Sequence, residues 1–172
     1  MRWKTGALVL VLLLAGGAAH ARSRAWSVRL GAQFDLKPWK QVAFSLGTEN
    51  HYKIAGPVWF AFGSRLQVNG DYFGWTIEPG FVAKVDAGSG FVPTFRAAFM
   101  MGSKHIYDDW EYFNFYLGSS FGPGFLYDFE SAAVGFDVSF DVARFIRYRN
   151  PGTREVSKPI LFSILTAVVL EF

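Results

Sequence analysis

From Trp26 to the last residue, apolar side chains alternate with small or polar ones along the chain. The first alternating series begins at Trp26 and the eighth ends at Phe172. A period of two residues is that of a β-strand with two different faces, and no helical period of useful length follows the N-terminal segment. Each series has roughly 10 or more residues, which is enough for a tilted strand to cross a bilayer. The pattern predicts an all-β fold of eight antiparallel strands.

The first 21 residues have the three parts of a secretory signal peptide. Arg2 and Lys4 form a basic start, an apolar stretch ends at Ala15, and Ala19-His20-Ala21 has the form of a cleavage site. The apolar stretch is too short to span a bilayer. We therefore expect residues 1–21 to be a signal peptide and residues 22–172 to form a single domain.

The composition excludes several classes of protein. Aromatic residues make up 19% of the chain and charged residues only 18%, which excludes intrinsic disorder. The absence of cysteine excludes a disulfide framework, a thiolate metal site and a cysteine nucleophile. Without Arg2 and Lys4, 15 of the 17 basic residues remain against 14 acidic ones, so the charge gives no reason to expect a nucleic-acid partner. We expect no cofactor. We also expect no metal site, because the fold predicted below places His51 and His105 at its opposite ends.

The alternation of apolar residues with small or polar ones is by itself compatible with two kinds of barrel. A soluble lipocalin-like carrier has its apolar face inside, whereas a transmembrane barrel has it outside, against lipid. The second face of these strands consists mainly of small residues, with four cations and four anions among them, and a closed interior of low dielectric requires such a balance. The eight charges are Arg29, Arg65, Lys84, Arg96, Glu49, Glu78, Asp137 and Asp141. We predict an eight-stranded antiparallel up-and-down transmembrane β-barrel, whose lumen is filled by paired side chains without an open pore.

The end of the chain carries the most specific pattern. Within Thr166-Ala167-Val168-Val169-Leu170-Glu171-Phe172, alternate positions are apolar and the last residue is phenylalanine. Together with the eight strands, this segment resembles the small eight-stranded outer-membrane β-barrel family, of the type of the outer-membrane protein A transmembrane domain. The resemblance implies a bacterial outer-membrane location. It also implies that periplasmic chaperones carry the chain and that the barrel-assembly machinery reads Val168, Leu170 and Phe172 as an assembly signal. It implies no activity, because a fold does not define a function.

A barrel of this type keeps both termini in the periplasm and has short periplasmic turns and longer outer loops. We expect periplasmic turns at about 50–56, 86–90 and 130–131. The outer loops are expected at about 36–40, 69–71, 102–111 and 143–159. His51 would then lie in a periplasmic turn, and His105 would lie at the outer end of the fifth strand.

The last predicted outer loop is strongly basic. Residues 144–158 contain a single acidic residue, Glu155, and five cations: Arg144, Arg147, Arg149, Arg154 and Lys158. Arginine side chains bind phosphate in a forked geometry. The functional interpretation is contact between anionic lipid, above all the phosphates of lipopolysaccharide, and the four residues Arg147, Arg149, Arg154 and Lys158. The alternative is a solvated loop whose charges keep an exposed segment soluble.

A serine and a histidine lie close together near the same end. Ser103 and His105 share one face of the predicted fifth strand, with Asp108, Asp109 and Glu111 nearby. This arrangement resembles the lipid A deacylase barrels, but the order of serine and histidine is reversed and the asparagine that follows the serine in that family is absent. A rim histidine among interfacial aromatic residues is the alternative.

We therefore predict a non-enzymatic, monomeric outer-membrane barrel with a structural or surface-interaction role. A lipid A-modifying enzyme is the alternative, and a soluble lipocalin-like carrier is the second alternative.

Overall fold

The computed structural model describes residues 23–37, 40–106, 113–129, 131–149, 156–157 and 159–172, so the predicted signal peptide lies outside the described residues. Among these residues, no helix is long and apolar enough to cross a membrane. The strands are β1 (Arg24–Lys37), β2 (Gln41–Ala55), β3 (Val58–Val68), β4 (Tyr72–Lys84), β5 (Phe91–Ile106), β6 (Phe113–Phe129), β7 (Ala132–Arg149), β8 (Val156–Ser157) and β9 (Ile160–Glu171).

Eight of these strands form one closed antiparallel barrel. Each strand from β1 to β7 pairs with the next, and β9 pairs with both β7 and β1, which closes the sheet. The two-residue strand β8 pairs with the end of β7. The predicted eight-stranded antiparallel barrel is thus confirmed. We call the end of the barrel that holds Arg24 and Phe172 the terminal end, and the opposite end the loop end.

The strands turn their apolar residues outward. On β5, Phe95 and Phe99 are each 50% exposed on the outer wall, whereas Arg96, Ala98 and Met100 are buried in the lumen. Successive residues of a strand point to opposite faces, so this division continues around the barrel. A soluble lipocalin-like carrier needs the reverse, with an apolar lumen for its ligand, and this structure does not fit it.

Glycines on the inner face allow neighbouring strands to approach closely. A Cβ atom on Gly31 would lie 1.9 Å from the carbonyl oxygen of Thr166 on β9. A Cβ atom on Gly135 would lie 1.9 Å from the carbonyl oxygen of Phe125 on β6. These contacts leave no room for a side chain. The small residues of the inner face therefore serve strand packing as well as the narrow lumen.

The predicted turn at 50–56 is wrong. Strand β2 continues to Ala55 and turns through Gly56 and Pro57 into β3. His51 therefore lies within a strand, opposite Ala61. The hydropathy pattern weakens here because the outward positions after Leu46 are the polar residues Thr48 and Asn50, so the sequence loses its apolar alternation while the backbone remains extended.

Two predicted outer loops begin later than expected. Strand β5 runs to Ile106 and β7 runs to Arg149, so much of the loops predicted at 102–111 and 143–159 is strand. In the rest of these two loops, Val156–Ser157 form β8, and residues 107–111, 150–155 and 158 lie outside the described residues. The predicted connections at 69–71, 86–90 and 130–131 fall between the ends of consecutive strands, whereas β1 includes the first two residues of the connection predicted at 36–40.

Candidate functional site

Glu78 on β4 is the centre of a cluster of arginines in the middle of the lumen. Its Oε1 lies 2.6 Å from Nη2 of Arg65, and its Oε2 lies 2.8 Å from Nη2 of Arg96. Nη1 of Arg29 is 3.7 Å from the same Oε2. All four side chains are buried. One carboxylate therefore faces three guanidinium groups, and the cluster needs further anions for neutrality.

Three further carboxylates supply that charge. Each arginine has a second acidic partner, and these pairs are Arg65–Asp141 (2.7 Å), Arg96–Glu49 (2.9 Å) and Arg29–Asp137 (2.8 Å). Buried charges are tolerated when they are paired and hydrogen-bonded in this way. With Lys84, which lies nearer the terminal end, the structure brings all eight charges of the predicted interior set into the lumen.

A second tier of charges lies at the terminal end, where Glu171 of β9 meets β2 and β4. Its Oε2 is 2.5 Å from Nζ of Lys84 and 3.0 Å from Nδ1 of His51. The other ring nitrogen of His51 lies 3.0 Å from Oε2 of Glu49, which links this tier to the middle one. The Lys84 ammonium also lies 4.6 Å from the ring centre of Trp59. Sequence reasoning missed His51 and Glu171 here because it assigned the first to a turn and considered the second only as part of the assembly segment.

A third tier lies at the loop end, around Asp35 of β1. Lys104 of β5 forms an ion pair with Asp35. The hydroxyl of Tyr72 donates to Oδ2 of Asp35 at 2.6 Å, and the amide of Gln33 donates to Oδ1 at 2.8 Å. Lys104 is completely buried. Sequence reasoning missed Lys104 because it took residue 102 as the start of a loop. Alternate residues of a strand share a face, so continuing β5 from Arg96 would have placed Lys104 in the lumen.

Three of these ion pairs join strands on opposite sides of the barrel. Among eight strands, the strand four places away in either direction is diametrically opposite, as β5 is to β1, β7 to β3 and β9 to β4. The opposite pairs are Asp35–Lys104 at the loop end, Arg65–Asp141 in the middle and Glu171–Lys84 at the terminal end. Side chains therefore cross the whole lumen at three heights.

The cavity between the terminal and middle tiers is small. A cavity of about 30 Å³, with Ser27 and Asp137 in its lining, lies between the terminal and middle tiers and has room for a few water molecules at most. A wider space of about 980 Å³ opens at the terminal end, where Lys84 and Glu171 contribute to its lining. Within the described ranges, no group of histidine, aspartate and glutamate side chains is arranged to hold a metal ion.

Ser103 and His105 lie on the outer face of β5, opposite Trp75 and Phe73 of β4. Both side chains are buried, because they stand between large aromatic neighbours on the wall. The hydroxyl of Ser103 has no hydrogen-bond partner among the described residues, so the serine and the histidine do not form a nucleophile–base contact. The acids that sequence reasoning placed near them, Asp108, Asp109 and Glu111, lie outside the described residues.

The basic segment at the loop end is partly strand. Arg144 lies on the outer face of β7 and is exposed, opposite Leu117 of β6. Arg147 and Arg149 belong to the extension of β7, and Arg149 pairs with β8. Arg154 and Lys158 lie outside the described residues.

The predicted assembly signal lies at the end of β9, and Phe172 directly follows the last residue of that strand, Glu171. Val168 and Leu170 face outward, and Phe172 closes the barrel against β1. The backbone N–H of Phe172 donates to the carbonyl oxygen of Trp26 at 2.8 Å, and the N–H of Trp26 donates to that of Phe172 at 3.0 Å. The two aromatic rings stack with their centres 6.0 Å apart.

The sequence matches no protein-family model and no curated protein. The fold is nevertheless similar to solved structures. Neisserial surface protein A is 13% identical over 86% of this chain and 94% of its own, with a TM-score of 0.59. The outer membrane protein OprG from Pseudomonas aeruginosa is 14% identical over 89% and 97%, with a TM-score of 0.55. Ail, the attachment invasion locus protein of Yersinia pestis, in complex with the heparin analogue sucrose octasulfate, is 6% identical over 87% and 97%, with a TM-score of 0.50. At these identities the likeness establishes the fold, so the chain is a small barrel with the architecture of these three proteins.

Proposed function

We propose that this chain is a non-enzymatic integral barrel of the bacterial outer membrane, closed to solutes, that acts through the segments at its loop end. The proposal rests on one observation, which is that side chains fill the lumen. Ion pairs between opposite strands cross it at three heights, and an eight-stranded barrel leaves room inside for side chains but not for a channel. A barrel with such an interior is a scaffold for its outer surface.

The outer wall supports the membrane location. Phe44, Phe81 and Phe99 are each half or more exposed on three different strands, and apolar residues dominate the wall around them. Soluble proteins rarely expose a continuous apolar surface of this kind, whereas lipid-facing strands require it. The structural likeness to OprG, an outer membrane protein, supports the same compartment for this chain.

The orientation and the assembly route belong to the proposal too. We place the terminal end in the periplasm, with Val168, Leu170 and Phe172 as the signal that the barrel-assembly machinery reads after periplasmic chaperones deliver the chain. The outward position of Val168 and Leu170 on the strand that closes the barrel, with Phe172 directly after it, supports this role, because the edge of this strand stays open until β9 pairs with β1.

The loop end would contact anionic sugar or lipid phosphates of the cell surface. Arg147, Arg149, Arg154 and Lys158 are the proposed contacts with lipopolysaccharide, and the exposed Arg144 lies on the same strand as the first two. Guanidinium groups bind phosphate and sulfate oxygens through paired hydrogen bonds. The similar barrel Ail is bound to a polysulfated sugar in its solved complex, which supports an anionic ligand of this class.

A binding titration tests the surface role. The folded barrel in nanodiscs is titrated with lipopolysaccharide and with the same material after removal of its phosphates. Replacing the four proposed contacts by glutamine should weaken binding to the phosphorylated form and reduce its dependence on salt. Replacing Arg24 and Lys53, two exposed cations at the terminal end, is the matched control and should have little effect. Equal binding to both forms of lipopolysaccharide would refute phosphate recognition.

Lipid A modification is the second candidate, favoured by one observation. Ser103 and His105 are both on the outer wall near the loop end, two residues apart on one strand. Mass spectrometry of lipid A from cells that express the chain tests it directly. We expect no loss of acyl chains; a loss that the Ser103→Ala variant abolishes would establish the enzyme and overturn the non-enzymatic proposal.

A further inference from the structure

The imidazole ring of His51 lies between groups of opposite charge in the terminal tier. Its Nδ1 is 3.0 Å from Oε2 of Glu171 and 2.9 Å from Nζ of Lys84. Its Nε2 is 3.0 Å from Oε2 of Glu49. A carboxylate only accepts hydrogen bonds and an ammonium only donates them, so Nδ1 faces one acceptor and one donor within hydrogen-bond distance.

The two contacts of Nδ1 require different protonation states of the ring. A neutral imidazole with its proton on Nε2 donates to Glu49 and accepts at Nδ1 from Lys84. An imidazolium donates at both nitrogens, so Nδ1–H then bonds to Glu171 and the ammonium of Lys84 turns away from the ring. Lys84 has partners for this second state, because its ammonium also contacts Glu171 and the ring of Trp59. Each state therefore satisfies both ring nitrogens of His51.

The charges of the three tiers favour uptake of a proton. Carboxylates outnumber the arginine and lysine side chains by one: Asp35, Glu49, Glu78, Asp137, Asp141 and Glu171 against Arg29, Arg65, Lys84, Arg96 and Lys104. A proton on His51 makes the two sets equal, in an interior where an unbalanced charge is costly. The space beyond Lys84 is lined by charges of both signs, which are Arg24, Lys53, Asp86 and Asp128.

His51 lies close to the open terminal end although its side chain is only 4% exposed. It lines the cavity of about 30 Å³ together with Lys84 and Glu171. The same two partners also line the wide space at the terminal end. One layer of side chains therefore separates the ring from that space, and protons can exchange with His51 from the terminal end.

We propose that His51 is a proton-binding site that acts as a pH-sensitive switch where the barrel closes. Strand β1 lies between β2 and β9, so a hydrogen bond from His51 to Glu171 spans β1 and ties the last strand to β2. The protonated ring forms this bond, and the neutral ring binds Lys84 in its place. Proton uptake therefore tightens the terminal end.

The sign of the pH dependence follows from linkage. The folded barrel holds this proton between two carboxylates, whereas in the unfolded chain the ring faces water and titrates near about pH 6.5. The stabilisation is thus present at mildly acidic pH and is lost as the pH rises through the midpoint of the folded barrel. The inference goes beyond the proposed function and does not depend on the surface role, because it concerns the interior alone.

The ¹⁵N chemical shifts of the histidine rings test the switch directly. The chain has three histidines, and the variants His20→Gln and His105→Gln identify two of the rings, so the third belongs to His51 with the lumen intact. The chain is refolded into detergent micelles and titrated from about pH 5 to about pH 9, on both sides of the ordinary histidine midpoint. We expect both nitrogens of His51 to carry protons at the acidic end and Nε2 alone to carry one at the alkaline end. A neutral ring with its proton on Nδ1, or a ring with one charge state throughout, overturns the switch.

Two variants of the neighbours should move the midpoint of His51 in opposite directions. Glu171→Gln removes the carboxylate that the protonated ring binds, so the midpoint should fall by about one pH unit. Lys84→Met removes the cation beside Nδ1, so the midpoint should rise by about as much. His105, on the outer wall near the loop end, is the internal control and should titrate alike in all three proteins. Shifts in the same direction, or no shift, would contradict the assigned contacts.

Urea unfolding measures what the switch does to the barrel. Between about pH 5.5 and about pH 8, the folding equilibrium constant of the native chain should fall about tenfold further than that of His51→Gln, whose amide does not titrate. Heat-dependent mobility confirms that both proteins are folded at both pH values. The same pH dependence in the two proteins would show that proton uptake does not tighten the terminal end. If His51→Gln does not fold, the native chain is compared with Glu171→Gln, which should lose the same pH dependence.

Discussion

Arg65 of β3 and Asp141 of β7 meet across the full width of the lumen, with Nη2 and Oδ2 2.7 Å apart. The two residues are 76 positions apart in the sequence, and their strands lie on opposite sides of the barrel. Their contact exists only when the sheet is rolled into a closed barrel. The pair therefore fixes the cross-section of the barrel at mid-height and blocks the lumen there.

Breaking this pair should destabilise the barrel strongly. Arg65→Met leaves the buried carboxylate of Asp141 without its arginine, and the free energy of unfolding should fall by about 3–5 kcal/mol. The double variant Arg65→Met/Asp141→Leu should lose much less than the sum of the two single variants, because it leaves no lone charge at position 141. Urea unfolding in lipid vesicles measures the free energy of unfolding of the native chain, the two single variants and the double variant. Additive losses would show that the two side chains do not depend on each other.

The face assignment of the wall is tested at Phe136 on β7, which is exposed on the outer face. Phe136→Arg should lower the free energy of folding into bilayers by about 2–4 kcal/mol, because it places a charge against lipid. Phe136→Leu is the matched control and should stay close to the native value. Both are measured by urea titration in vesicles of defined thickness, and an arginine variant as stable as the native chain would mean that position 136 does not face lipid.

The close contact of β6 and β7 predicts that alanine substitution destabilises the barrel more at Gly135 than at Gly47. A Cβ atom at position 135 would lie 1.9 Å from the carbonyl oxygen of Phe125, whereas one at position 47 would lie 3.3 Å from that of Ser64. Gly135→Ala should therefore cost about 1–3 kcal/mol, because backbone must move, and Gly47→Ala should cost clearly less. Thermal unfolding in detergent compares the two, and equal losses would contradict the packing argument.

Phe172 is predicted to act at two stages. Phe172→Ala keeps the two backbone hydrogen bonds with Trp26 but removes the stacked ring. Refolding into detergent should therefore be only mildly impaired, while the amount of folded barrel in cells should fall much further, because the proposed assembly signal is lost. Heat-modifiable protein is quantified in both settings, and losses of the same size would limit the residue to a packing role.

The number of strands, and which residues of each strand face outward, could be predicted because apolar residues alternate with small or polar ones along the sequence. The alternation is lost where outward residues are polar, as at Thr48 and Asn50, and for this reason His51 was predicted to lie in a turn although it lies within β2. Lys104, the partner of Asp35 at the loop end, was missed for a similar reason, because the outward residues beside it, Ser103 and His105, are polar.

The partners of the interior charges are harder to predict. Whether Arg65 meets Asp141 or another carboxylate depends on the stagger of the strands around the closed barrel, and alternation does not define that stagger. Counting back along the two strands from the short turn between β4 and β5 places Glu78 opposite or diagonal to Arg96, and these side chains lie 2.8 Å apart. Pairs between opposite strands have no equivalent local signal.

The closed lumen is tested most directly by the conductance of a planar lipid bilayer that contains the refolded native chain. Insertion is established first by the heat-dependent mobility of the same preparation. The three tiers of paired side chains predict that the membrane current stays at the level of the protein-free bilayer, without steady unitary steps. Steady, reproducible steps from the inserted native barrel would contradict a closed lumen.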